Sequence, residues 1–89
     1  MFSIKDKVIV VTGGNGLLGK QMVSAFRKQG AVVIAADIFF EAKSADDYVI
    51  DITDEDSVKK GIADIVEKYN HIDGWVNNAY PRTNDWGSK

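Results

Sequence analysis

Four glycines follow a run of β-branched residues and precede a helical pattern in the stretch "VIVVTGGNGLLGKQ". Such a loop is typical of phosphate-binding sites, because the backbone N–H groups at a helix N-terminus attract an anion. Two spacings overlap in it. Gly14, Gly19 and Lys20 match the Walker A spacing of ATP-binding proteins, whereas Gly13, Gly16 and Gly19 match the spacing of dinucleotide-binding proteins.

The Walker A interpretation is incomplete. It requires Ser or Thr after the lysine, because that hydroxyl ligates Mg²⁺, and the residue here is Gln21. It also requires an acidic partner at the end of another apolar strand, for which Asp37 or Asp51 is available. A P-loop type ATPase that uses Lys20 therefore stays the weaker alternative.

The dinucleotide interpretation is supported beyond the loop itself. Gly13 would allow the tight turn, Gly16 the close approach of the pyrophosphate, and Gly19 the packing of the helix on the strand. A carboxylate about twenty residues further on should close the second strand and bind ribose hydroxyls. Asp37 lies at about that distance, at the end of "AVVIAAD". The loop and Asp37 together predict a dinucleotide site, with a solvated strand end as the alternative role of Asp37.

Hydrophobic patterning predicts the elements that hold these residues. The predicted strands cover residues 7–12, 31–37, 48–51 and 73–79. A first helix should run from Leu17 to a stop at Gly30, with Leu18, Met22 and Phe26 on its apolar face. A second helix should cover 54–69, with Thr53 as its cap and Asp56 in the capping-box position. Residues 38–47 would form at most a short helical crossover.

The fold class that this order predicts is α/β. Strands that alternate with helices indicate a parallel sheet with right-handed crossovers. We expect a Rossmann-type parallel sheet with strand order 3-2-1-4, an incomplete doubly wound three-layer fold. Residues 1–80 would form this N-terminal half of a dinucleotide-binding domain, and residues 81–89 would be a mobile tail.

Composition excludes several classes of protein. The chain has 89 residues, a net charge of −2 and no cysteine. Disulfide and thiolate–zinc scaffolds are thereby excluded, and the absence of a basic patch argues against nucleic acid as a partner. No apolar run approaches the roughly 18–20 residues that span a bilayer, and the stretch "MFSIKDKVIVV" contains no apolar signal core ahead of a small-residue cleavage site. We expect a cytoplasmic protein with no membrane partner.

Four segments together resemble the short-chain dehydrogenase/reductase family: "TGGNGLLG" (12–19), "AAD" (35–37), "DITDEDSV" (51–58) and "VNNA" (76–79). The resemblance covers residues 5–80. It implies a Rossmann fold and a parent oxidoreductase that transfers hydride between nicotinamide and an alcohol or carbonyl substrate.

The resemblance also implies roles for individual residues. Thr12 would steady the loop, and residues 13–19 would wrap the pyrophosphate. Asp37 would bind the adenosine ribose and favour NAD over NADP. Asp51 would reach the adenine amino group beside the Ile52 backbone, or it would only start a loop and help to cap the next helix. The cofactor-binding residues implied are Thr12, Gly13, Asn15, Gly16, Leu17, Leu18, Gly19, Asp37, Asp51, Ile52, Asn77, Asn78 and Ala79, the last three of which would line the adenosine ribose and lock the central strand.

The sequence departs from the family pattern in two ways. The glycine spacing matches the extended branch of the family, whereas "NNA" matches the compact branch, in which Gly stands at the position of Tyr80. The family's catalytic Ser and its Tyr-x3-Lys pair lie beyond the fourth strand. We therefore expect no catalytic residue in this chain, and an inactive N-terminal fragment that binds NAD. A stand-alone nucleotide-binding module is the alternative.

Too few helices are predicted to cover the buried-type strands. The helix over 54–69 would lie alone on its face of the sheet, and the last strand would be an edge strand with open hydrogen-bonding groups. We expect self-association through this uncovered face or through the edge strand.

Overall fold

The computed structural model describes residues 3–41 and 43–78, which form a parallel sheet flanked by helices. In chain order the elements are β1 (Val8–Thr12), α1 (Leu17–Lys28), β2 (Val32–Asp37), β3 (Asp47–Val49), α2 (Glu55–Tyr69) and β4 (Gly74–Val76). All three strand pairs are parallel, and the sheet order is β3-β2-β1-β4. The predicted α/β class and strand order are confirmed. Ala79, Tyr80 and the tail over 81–89 lie outside the described residues.

The sheet divides the interior into two clusters, one on each face. Successive β-strand side chains point to opposite faces, so Val8 and Val10 of β1 pack with Ile65 of α2, while Ile9 and Val11 pack on the other side. That second cluster is closed by α1. All five residues of β1 are buried, which is why its sequence is a continuous apolar run rather than an alternating one.

Helix α1 is rotated slightly from the orientation that its sequence predicts. The predicted apolar face included Leu18, but that side chain is 59% exposed. The buried positions are Gly19 and Val23, flanked by Met22 and Phe26. The centre of the packed face therefore lies one position further along the chain, because a glycine allows α1 to approach the loop more closely than a leucine would. The leucine is left at the surface.

The connection between β2 and β3 contains no helix in its described residues, 38–41 and 43–46. Instead, Phe40 packs against the cluster beneath α1. On the far side, Tyr69 of α2 donates a hydrogen bond to Asp46, and Lys68 donates one to the Ala45 carbonyl at 3.3 Å. These contacts with distant elements replace the internal hydrogen bonds of a helix. Strand β3 begins at Asp47, one residue before its predicted start.

The cap of α2 is Asp54, not Thr53 as its sequence predicted. The Asp54 Oδ1 atom accepts hydrogen bonds from the N–H groups of Asp56 and Ser57, at 3.0 and 3.4 Å. The Thr53 hydroxyl instead donates to Asp51 at 2.6 Å. A carboxylate also interacts more favourably than a hydroxyl with the positive end of the helix dipole, so the helix begins one residue later than predicted. Within the described residues, neither helix is long and apolar enough to cross a membrane.

The start of β1 is held by Asp73. Its Oδ2 atom accepts a hydrogen bond from the Val8 N–H at 2.7 Å and lies 2.9 Å from Nε2 of His71. The bond from Val8, assisted by the nearby imidazole, lowers the pKa of Asp73 below its usual value. Because Asp73 directly precedes β4, this carboxylate links two neighbouring strands at the end of the sheet opposite the glycine loop.

A lowered pKa makes this link dependent on pH. In an unfolded chain an aspartate titrates near pH ~4. The Asp73 carboxylate therefore stabilises the fold above that pH, and its contribution is lost as the pH falls through the lower pKa of the folded state. We expect Asp73→Asn to unfold at lower urea concentration at neutral pH and to lose less further stability on acidification than the wild type does.

Urea titrations across the acidic range measure this difference. Glu67→Gln, at an exposed position of α2, is the control and should keep the wild-type acid dependence. An Asp73→Asn protein with the same acid dependence as the wild type would show that the carboxylate contributes nothing to it.

Candidate functional site

A cleft of about 790 Å³ opens at the carboxyl ends of β1 and β2, in front of the N-terminus of α1. The glycine loop forms one wall, and the residues that follow β2 and β3 form the other. Most of the residues that the sequence predicts for a cofactor site line this cleft: Gly13, Asn15, Gly16, Leu17, Leu18, Gly19, Asp37, Asp51, Ile52 and Asn78. The folding of the chain thus brings together residues that are distant in sequence.

The N-terminus of α1 is open toward the cleft. Its N-cap is Gly16, which has no side chain, and the first turn contains no acidic residue. The first hydrogen bond of the helix runs from the Lys20 N–H to the Gly16 carbonyl at 2.9 Å. Helix geometry therefore leaves the N–H groups of Leu17, Leu18 and Gly19 without partners inside the helix. These three donors, together with the helix dipole, favour an anion in front of them.

The glycines of the loop serve different purposes. Gly13 has a φ of +68°, which side chains disfavour. A Cβ atom at Gly14 would lie 2.7 Å from Cβ of Ala35, and one at Gly19 would lie 2.0 Å from the Gly13 carbonyl oxygen. A Cβ at Gly16 would approach only that same oxygen, at 3.4 Å. Packing within the protein therefore explains Gly14 and Gly19, whereas the space beside Gly16 is open.

Gly19 and Gly61 provide a matched test of this packing, since both lie in helices. Alanine improves helix propensity at either site by about 1 kcal/mol. At Gly19 the new methyl group meets a backbone oxygen at 2.0 Å that cannot move away, whereas at Gly61 it meets the Cδ1 and Cγ1 atoms of the buried Ile50 side chain, at 2.5 and 2.7 Å. We expect Gly19→Ala to lower the free energy of unfolding by at least ~2 kcal/mol and Gly61→Ala to lower it by less, because a side chain can shift to relieve the contact and a backbone carbonyl in a tight loop cannot.

Thermal or urea denaturation of the two variants measures the difference. Equal destabilisation of both would contradict a close contact between α1 and the loop.

Asp37 joins the loop to the end of β2. Its Oδ2 atom accepts a hydrogen bond from the Asn15 N–H at 2.9 Å, and its Oδ1 atom accepts one from the Ile38 N–H at 2.8 Å. A carboxylate has about four acceptor sites, so each oxygen can accept a further bond from a ligand. The side chain is half-buried at the edge of the cleft. This geometry suits a ligand with two neighbouring hydroxyl groups.

Thr12 lies behind the cleft and is fully buried. Its hydroxyl oxygen accepts a hydrogen bond from the Asn78 N–H at 2.9 Å and lies 3.1 Å from the Oδ1 atom of Asn77. Nδ2 of Asn78 in turn lies 3.5 Å from the Gly13 carbonyl oxygen. Thr12 thereby joins the end of β1 to the chain that follows β4. Of these predicted site residues only Asn78 and Gly13 line the cleft; Thr12 and Asn77 do not, and Ala79 lies outside the described residues.

Asp51 lies at the cleft, but one of its oxygens is already engaged. The Oδ1 atom accepts hydrogen bonds from the N–H and the hydroxyl of Thr53, at 2.9 and 2.6 Å. The bond from the Thr53 side chain, followed by that from its N–H, lowers the pKa of Asp51. The observed bonds match the loop-starting role among the two alternatives for this residue. They leave the second oxygen and the position at the cleft available for the other role.

Further residues line the cleft that the predicted site did not include. Ala36, Ile38, Phe39, Ile50 and Thr53 contribute to its walls. Ile38 and Phe39 are both 61% exposed, so they present apolar surface directly after Asp37. Two large apolar residues directly after a strand-terminal acid are a signal in the sequence for an apolar wall of a binding cleft. The same pattern is equally typical of residues that cover the edge of a sheet.

The position of Lys20 does not fit the Walker A interpretation. It lines a second cleft, also of about 790 Å³, on the other side of the loop, together with Arg27 and Lys28 of α1. The described lining of the first cleft contains no Lys or Arg, and its only ionisable side chains are Asp37 and Asp51. A Walker A lysine must reach the phosphates in front of the helix, and Lys20 does not line that space. The described residues also contain no cluster arranged to hold a metal ion.

Comparison with known proteins identifies the family. The model of the short-chain dehydrogenase family matches residues 7–84. The chain belongs to this family, as its glycine loop and its "VNNA" segment indicated. Members of the family bind a nicotinamide dinucleotide as cofactor.

Curated relatives include 3-oxoacyl-(acyl-carrier-protein) reductase FabG of Thermotoga maritima, which is 38% identical over 88 residues; the match covers 85% of this chain and 36% of the relative. The NAD-dependent glycerol dehydrogenase of Listeria innocua is 34% identical over 87 residues, covering 88% of this chain and 34% of the relative. The chain thus spans about a third of the length of these relatives.

Solved structures of relatives share the fold. The 2-keto-3-deoxy-D-gluconate dehydrogenase of Streptococcus agalactiae superposes with a TM-score of 0.81 at 31% identity, covering 92% of this chain and 35% of the other. The ligand-free aldohexose dehydrogenase of Thermoplasma acidophilum gives a TM-score of 0.79 at 32% identity, with coverage of 90% and 32%. The sheet described above therefore matches about a third of the chain in each of these solved dehydrogenases.

Proposed function

We propose that the chain binds NAD(H) in the cleft in front of α1 and is the cofactor-binding portion of a short-chain dehydrogenase/reductase. The observation that carries the proposal is the uncapped N-terminus of α1, whose first-turn N–H groups open into the same cleft as the Asp37 carboxylate. An anion and a pair of hydroxyl groups are thereby accommodated side by side. A pyrophosphate attached to a ribose has this combination.

Each wall of the cleft then has a role. The N–H groups at the start of α1 would hold the pyrophosphate, and Asp37 would accept hydrogen bonds from the hydroxyls of the adenosine ribose. Ile38 and Phe39 would offer apolar surface to the adenine ring, with Asp51 and Ile52 on the opposite side. Gly16 fits this assignment, because the open space beside it lets a phosphate approach the backbone.

The charge of the cleft favours NAD over NADP. Asp37 and Asp51 are the ionisable side chains of its described lining, and no Lys or Arg faces them there. A 2′-phosphate on the adenosine ribose would lie against the Asp37 carboxylate without a cation to compensate its charge. The name of the NAD-dependent glycerol dehydrogenase of Listeria innocua is in keeping with this preference.

The parent activity is proposed from the relatives. Several of them are named as dehydrogenases or reductases of hydroxyl or oxo compounds. When bound, the nicotinamide supplies or accepts the hydride in such a reaction. We assign none of the described residues to the chemical step, and we expect the 89-residue chain to be inactive on its own. A cytoplasmic location stays a prediction.

Replacement of Asp37 tests the cofactor assignment. We expect Asp37→Ala to weaken NADH binding about 10- to 100-fold, because a charged acceptor for ribose hydroxyls is lost. NADPH binding should weaken less or improve, because the repulsion of the 2′-phosphate is lost as well. Fluorescence titration with NADH, NADPH and Mg-ATP measures these affinities.

Asp64→Ala is the matched control, because it removes an equal charge from the exposed surface of α2. Equal losses of NADH and NADPH affinity in Asp37→Ala would exclude Asp37 from the cofactor site. Tight binding of Mg-ATP by the wild type, without binding of NADH, would favour the ATPase alternative.

We further propose that isolated chains associate with one another. Strand β4 is at the edge of the described sheet, so one side of its backbone has no neighbouring strand there. On the same side of the molecule as the cluster of Val8 and Val10, α2 exposes Ile62 and Val66 to 37% and 39%. A second copy that covers this apolar surface would remove it from water.

Sedimentation velocity at micromolar concentration tests the association. We expect the wild type to sediment as a dimer or larger species. A double variant Ile62→Lys/Val66→Lys should shift it toward the monomer, and Ala63→Lys, at a neighbouring exposed position, should not. A wild type that is monomeric throughout would contradict the proposal.

A further inference from the structure

Asn15 makes two hydrogen bonds across the cleft, one to the last residue of β2 and one to the segment that follows it. Its backbone N–H donates to Oδ2 of Asp37 at 2.9 Å, and its side-chain Nδ2 donates to the carbonyl oxygen of Phe39, also at 2.9 Å. The partners of the side-chain bond are 24 residues apart in the chain. Two different groups of one residue therefore tie the glycine loop to the opposite wall of the cleft.

The wall held in this way has little other support. The ladder between β1 and β2 ends at Ala36, and that between β2 and β3 ends at Asp37. Residues 38 and 39 belong to no strand or helix, and both of their side chains are 61% exposed. The next anchor along the chain is Phe40, which packs against the cluster beneath α1. The hydrogen bond from the Asn15 side chain thus holds residues 38 and 39, the short span between the end of β2 and Phe40.

We propose that Asn15 is a positioning residue for the adenosine end of the cofactor. Its side-chain amide fixes the Phe39 carbonyl and thereby the apolar wall formed by Ile38 and Phe39. It acts through the backbone of that wall, and its amide does not itself need to touch the ligand. This inference rests on the proposed function and adds to it a determinant of adenosine binding that lies in the pyrophosphate loop.

The position of Asn15 between the two clefts supports this role. Asn15 lines both clefts. Gly13 and Gly16 line the first cleft, and Gly14 lines the second. Because its neighbours are glycines, no adjacent side chain can replace the lost donor. If the bond to Phe39 is removed, residues 38 and 39 lose their direct link to the loop, while the bond from the Asn15 N–H to Asp37, at the end of β2, remains.

The test separates the two ends of the proposed ligand. AMP probes the adenosine end, and inorganic pyrophosphate probes the N-terminus of α1; both are titrated into the full chain and followed by NMR. We expect Asn15→Ala to weaken AMP and NADH binding about 3- to 10-fold, the range for loss of a neutral hydrogen bond. Pyrophosphate affinity and the melting temperature should stay close to those of the wild type.

Gln21→Ala is the control, because it truncates an exposed amide of the same region that lies outside the first cleft. It should leave all affinities unchanged. A second readout needs no ligand: in the wild type, the side-chain amide protons of Asn15 should exchange with water more slowly than those of Gln21.

The outcomes distinguish the inference from the proposed function. A wild type that binds AMP and NADH, with an Asn15→Ala variant that binds them equally well, overturns the role of Asn15 alone. Equal weakening of AMP and pyrophosphate would also overturn it, since the residue would then support the whole loop. A wild type that binds none of the three ligands overturns the proposed function and this inference with it.

Discussion

The close packing of α1 against the glycine loop is the constraint on which the site depends. A helix can direct its first N–H groups at a ligand only if its first turn lies over the end of the strand that precedes it. Gly19 makes this possible, because even one methyl group there would collide with the Gly13 carbonyl oxygen. Gly14 allows the same loop to rest on β2 at Ala35. Steric requirements of the protein itself thus place the open end of α1 at the cleft.

The two helices of the fold use their N-termini in opposite ways. Asp54 caps α2 through two backbone N–H groups, and Glu55 and Asp56 add negative charge to its first turn. The start of α1 has neither a side-chain cap nor an acid. The dipole of α2 is therefore compensated within the protein, whereas the first turn of α1 has no such compensation and could accept an anionic ligand. Both helices start at the same edge of the sheet, where ligands of open α/β folds bind.

Sequence reasoning succeeded where a short-range rule determines the structure. Continuous apolar strands and the glycine spacing predicted the strand order and the loop, and the distance from the loop predicted the position of Asp37 at the end of β2. It failed where two residues competed for one role or where distant segments meet. Thr53 and Asp54 are both good caps, and only the proximity of Asp51 to Thr53 decides between them. The bond between Asn15 and Phe39, and the helix-free path after β2, depend on tertiary contacts that no local pattern reports.

The central claim is that the first turn of α1 binds the pyrophosphate of a dinucleotide. The most direct measurement is an NMR titration of the isotope-labelled chain with ADP-ribose, following the backbone amides of both helix N-termini. We expect large shifts at Leu17, Leu18 and Gly19 and small ones at Glu55 and Asp56. Shifts confined to the basic face of α1, at Lys20, Arg27 and Lys28, would contradict it.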